Sequence, residues 1–142
     1  MEATAQAADW TGRTAPDLAA IRALAEAAMS ALPVPFDAAA RGVRLHVAEV
    51  ADDAMLAALG IENAYELTGL YEGVGIAERS QATSGTLPDT VWLYRRAILD
   101  EWADRGDVTL GALVAHIVVH ELAHHLGWSD EDIAAIDPWW ER

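Results

Sequence analysis

The chain has 142 residues, 53% of them hydrophobic, no cysteine, and a formal charge of −14 from 23 acidic and 9 basic residues. That length and apolar share fit a single domain over 1–142, with a core from about 14 to 136, that packs without disulfides. The acidic excess excludes the basic surface that nucleic acid or anionic membrane requires, and the lack of cysteine leaves any metal to imidazole and carboxylate.

The first residues, Met1 to Asp9, carry neither the basic start nor the apolar stretch of a secretory signal. No later run is long and apolar enough to span a bilayer, so the expectation is a cytoplasmic protein. Every basic residue is arginine, which reads as a compositional bias.

Thr14, ahead of Pro16 and Asp17, reads as a helix start, and Leu18, Ile21, Ala25, Ala28, Met29 and Leu32 give the helix one apolar face before Pro33 and Pro35 end it. Val43 to Val50 alternates as a half-buried strand, with Val43, Leu45 and Val47 on one side and Arg44, His46 and Ala48 on the other. Asp52 and Asp53 cap a short helix from Ala54 to Leu59 that Gly60 stops. Leu67 to Ser80, with three glycines and no helical period, reads as strand and turn. Thr83, Ser84 and Gly85 form a loop before Pro88, and Thr90 to Tyr94 has the β-branched and aromatic residues of a strand. A helix from about Arg95 to Ala103 follows. After the break at Arg105, Gly106 and Asp107 comes the most apolar helix, from about Thr109 to Leu126, closed by Gly127. It is apolar nearly all round, so it is expected to be buried.

Within that helix, His120 and His124 lie one turn apart on one side, and Glu121 sits about 100° round from His120. Two imidazoles on one rigid face can share a metal, and the carboxylate beside it can take a proton from water. Two histidines and a glutamate in an apolar helix are costly to bury unless something satisfies them, and a metal does so. Gly127 lets the chain reverse so that Asp130 returns as a third ligand, with Glu131, Asp132, or Asp137 or Glu141 of the tail as alternatives. Three protein ligands leave one zinc per chain with an open position for water. His125 points away from the shared face and reads as a packing or supporting residue. His116 lies too far from His124 to share one ion with it, and His46 reads as a surface residue.

The string from His120 through His125, Gly127, Trp128 and Ser129 to Asp130 resembles the zincin superfamily, and within it the bacterial minimal metalloprotease-like family. The resemblance extends through Leu32-Pro33 with Phe36, Thr68 to Gly73, Leu87-Pro88-Asp89 and Leu93-Tyr94-Arg95, and so covers about Asp17 to Ile136. It implies an α+β zincin-like fold, a small twisted sheet packed on a buried active-site helix, with a minimal C-terminal part and an edge strand that holds an extended peptide. It also implies a zinc metallopeptidase in which Glu121 is the general base, with Tyr71, Arg79 and Tyr94 as candidate oxyanion or substrate contacts.

Two features depart from the larger relatives. Asp130 stands where many carry a third histidine, and every methionine (Met1, Met29, Met55) precedes the motif, so no methionine turn underlies the metal. The expected cleft is short and open, suited to short peptides or flexible protein segments. The competing reading is a zincin-fold, metal-holding module that binds a protein or peptide without cutting it. A purely structural zinc is disfavoured because such sites normally have four protein ligands.

Overall fold

Asp17 starts the first helix in the computed structural model, which describes residues 9–34, 36–73, 89–129 and 131. Its backbone is extended and its carboxylate accepts the amide of Ala20 at 2.9 Å, the standard way to satisfy a free amide in a first turn. The start thus falls later than Thr14, because the ring of Pro16 holds Ala15 out of the helical region. Helix α1, Leu18–Ser30, buries Ile21 and Ala25 completely. Beyond it lies a short helix, α2, Phe36–Ala40, that the sequence after Pro33 and Pro35 does not announce. Its first amides, those of Phe36 and Asp37, donate to the carbonyl of Pro33.

Strand β1 is Arg44–Ala48 and helix α3 is Asp53–Leu59. The carboxylate of Asp52 accepts the amide of Met55 at 2.7 Å, and Gly60, at φ 70°, closes the helix as expected. Ala64–Glu66 forms a single 3-10 turn before strand β2, Gly69–Glu72. Strand β3, Thr90–Tyr94, runs straight into helix α4, Arg95–Arg105, which ends at Gly106 with φ 72°. Helix α5 is Leu110–His125, started by Thr109, whose hydroxyl accepts the amide of Ala112 at 3.1 Å. The expected loop at Thr83 to Gly85 lies outside the described residues.

The described strands form one mixed sheet in the order β1-β3-β2, with β1 parallel and β2 antiparallel to β3. Side chains alternate across β3. Val91 and Leu93 join the main core with Ile21 of α1 and Leu113, Val114, Ile117, Val118 and Leu122 of α5. On the opposite face, Tyr94 belongs to a smaller cluster with Leu56 and Ala51, against which Trp92 and Leu70 pack. The architecture is therefore α+β, a small twisted sheet laid on α5, as the sequence implied. Helix α5 is not buried all round, however: His116, His120, Glu121 and His124 are only half-buried and make one open stripe. Among the described residues no helix is long and apolar enough to cross a membrane.

Candidate functional site

Helix α5 is held rigid by seven buried side chains, Leu113, Val114, Ile117, Val118, Leu122, Ala123 and His125, and this fixes what its open stripe presents. The rings of His120 and His124 face each other with centroids 4.8 Å apart, and their Nε2 atoms approach to 3.2 Å. Two nitrogens at tetrahedral positions about 2.0–2.1 Å from one zinc ion lie about 3.3 Å from each other, so the spacing of the pair matches that of two ligands on one metal. His116 is set further off, its ring centroid 6.0 Å from that of His120.

The backbone after the helix is fastened in the way the glycine suggested. Gly127 has φ 85°, its amide donates to the carbonyl of His124 at 2.9 Å, and the amide of Trp128 reaches back to Ala123 at 2.9 Å. Trp128 then packs edge-on against Phe36 of α2, ring centroids 5.3 Å apart, which sets the direction in which the chain leaves the helix. Asp130, the expected third ligand, lies outside the described residues, as do Asp132, Asp137, Glu141 and Arg79. Glu131 is exposed. Among the described residues no group of three histidine or acidic side chains comes together as a metal cage.

Glu121 is placed by its neighbours in β2. A Cβ on Gly69 would stand 2.6 Å from Cγ2 of Ile117 and 3.5 Å from Cγ of Glu121, so the strand backbone lies directly against this turn of the helix. Two residues along β2, the hydroxyl of Tyr71 is 3.3 Å from Nδ1 of His125. The spacing is commensurate: two strand residues and one helical turn both advance about 6 Å, so β2 keeps in step with α5. Among the described residues β2 pairs only with β3, so within them it is an edge strand beside the stripe.

A cleft of about 240 Å³ opens next to the histidines, lined by Thr68, Glu101, Arg105, His116, Ile117, His120 and Glu121. Its far wall is the last turns of α4, where Arg105 and Glu101 pair at 2.8 Å. The candidate general base and one candidate ligand thus share a cavity with room for a small group of substrate atoms.

Two other expectations come out differently. Tyr94 is 2% exposed and sits across the sheet from α5, so it is not a substrate contact. Burial, with help from the nearby charges of Glu72 and Asp52, pushes its phenol up from 10.0 to about 12. Tyr71 does face α5, but its hydroxyl is turned to His125. His46 is exposed and rests on Trp92, ring centroids 4.2 Å apart. Sequence reasoning gave Asp89 no role of its own, yet its carboxylate is 1% exposed and meets Nδ1 of His125 at 2.9 Å. The signal was a lone aspartate beside a strand, which acquires meaning only once the strand is placed on the helix.

No curated protein matches the chain. A family model described as zincin-like metallopeptidase matches residues 40–140, which include β1, β2, β3 and the whole of α5. With the α+β fold and the convergent histidine pair, this match, over more than half of the chain, shows that the protein belongs to the zincin-like metallopeptidase family.

Proposed function

We propose that the protein is a zinc-dependent peptidase in which His120, His124 and Asp130 hold one zinc ion and Glu121 is the general base. The observation that supports this most is the 3.2 Å approach of the two Nε2 atoms, beside a glutamate that lines the cleft together with His120. Zinc, when bound, supplies Lewis-acid activation of water and of the scissile carbonyl. Glu121 takes a proton from the attacking water and returns it to the amine nitrogen as the carbon–nitrogen bond breaks, so the carboxylate is restored in each turnover. Its half-buried position beside Gly69 keeps it oriented without removing it from the cleft. Edge strand β2 offers backbone donors and acceptors to an extended peptide, the binding mode in which main-chain hydrogen bonds supply affinity. The substrate is therefore a short peptide or a flexible protein segment.

Glu121→Gln tests the assignment. The variant should keep its zinc and lose at least about a hundredfold in cleavage of a peptide library, the usual contribution of a general base. Cleavage at the wild-type rate would remove Glu121 from the role. A protein partner captured equally by wild type and variant, with no new peptide termini in mass spectrometry, would establish a binding module in place of the enzyme.

A further inference from the structure

The most buried polar contact in the described structure lies behind the metal-facing stripe. Asp89 and His125 have side chains 1% and 5% exposed and meet at 2.9 Å, and the hydroxyl of Tyr71 approaches the same Nδ1 at 3.3 Å. The three residues come from the position just before β3, the last residue of α5 and strand β2. The surroundings are built closely around them. Gly73, at φ 138°, lies so near that a Cβ there would collide with the Asp89 carboxylate and stand 2.9 Å from its Cα. The carbonyl of Asp89 also accepts the amide of Arg44 at 2.9 Å, which ties the cluster to β1.

A buried pair of polar side chains is a poor way to gain stability, since apolar residues of similar volume often serve as well or better. What it supplies is direction. His124 is in the last turn of α5, where a helix has fewest hydrogen bonds of its own to hold it. An imidazole nitrogen about 6–7 Å from the helix axis moves about 1 Å for a rotation of about 10°, more than a metal site tolerates. Apolar packing alone leaves such a rotation soft, whereas a short polar contact on the adjacent residue does not.

We propose that Asp89 is a positioning residue for the metal: through His125 it fixes the rotation of the last turn of α5 against β2 and β3, and so the placement of His124 relative to His120. This rests on the zinc-peptidase reading above. Asp89 touches neither substrate nor metal in this role.

The test compares wild type, Asp89→Asn and the double variant Asp89→Leu/His125→Leu, each first shown to unfold in one thermal transition without metal. The readouts are zinc affinity by chelator competition and the visible d–d spectrum of the cobalt-substituted protein, which reports ligand geometry independently of stability. Asp89→Asn retains an acceptor oxygen and should keep both readouts near wild type. The double variant replaces the pair with apolar volume, and should fold yet bind zinc about tenfold more weakly, with a shifted cobalt spectrum. A double variant with wild-type affinity and a superimposable spectrum overturns the proposal. Should it fail to fold, Asp89→Ser, too short to reach His125, takes its place with the same two outcomes. Wild-type protein that binds neither metal overturns the functional reading and this proposal together, whereas a wild type that binds both and a variant that matches it overturn this proposal alone.

Discussion

Gly69 of β2 lies so close to Ile117 of α5 that a Cβ would come within 2.6 Å of the isoleucine's Cγ2, with the carbonyl oxygen of Trp92 at 3.3 Å and Cγ of Glu121 at 3.5 Å. Strand β2 therefore reaches the turn that carries Glu121 with its backbone, and any side chain at this position must push the two apart. Gly69→Ala should cost about 1–3 kcal/mol in stability as an overpacked contact. It should also lower kcat by about 10–100-fold through misplacement of Glu121, with zinc content unchanged. Equilibrium unfolding, peptide cleavage and metal analysis on the same preparation check this. Full activity in the variant would mean that the strand does not set the position of the base.

Gly127 ends α5 at φ 85°, a conformation in which an L side chain meets its own carbonyl. Gly127→Ala should cost about 1–2 kcal/mol, and so lower the Tm of the metal-free protein by about 3–6 °C. Gly127→Asn should cost less, because asparagine tolerates the left-handed region. Equal losses for the two variants would show that the space around the turn, and not its backbone angle, requires glycine.

Tyr94 ionises late because its phenolate would be buried and would face the negative charges of Glu72 and Asp52. Its folded value of about 12 lies above the ordinary 10.0, so the native state holds the proton longer than the unfolded chain does. The stability this gives is full below pH 10 and is lost progressively between pH 10 and about 12. Ultraviolet titration should reveal a tyrosinate appearing near pH 12, and Tyr94→Phe should abolish it. A late tyrosinate that survives the substitution would belong to another residue.

Much of the fold was legible because its punctuation is local. Asp52, Thr109, Gly60, Gly106 and Gly127 cap helices by contacts that span only a few residues, and β3 begins and ends where its β-branched and aromatic run does. The histidine pair was legible for the same reason, since helical geometry alone brings positions 120 and 124 together. Helix α2 escaped because it is a single turn directly after Pro33 and Pro35, held by the carbonyl of Pro33 and the burial of Phe36 more than by any period of its own. The open stripe on α5 escaped too, because an apolar sequence does not say which side a neighbour leaves uncovered. The roles of Asp89 and Tyr71 depend on how the sheet lies on α5, a tertiary register between residues 36 and 54 positions from His125 in the chain.

Whether His120 and His124 hold a metal is tested most directly by the metal content of the purified protein, read by elemental mass spectrometry with His124→Ala measured alongside. About one zinc per wild-type chain is expected, with most of it lost in His124→Ala although the variant still folds. Wild-type protein that remains without zinc after reconstitution, or a variant that retains the full complement, would contradict it.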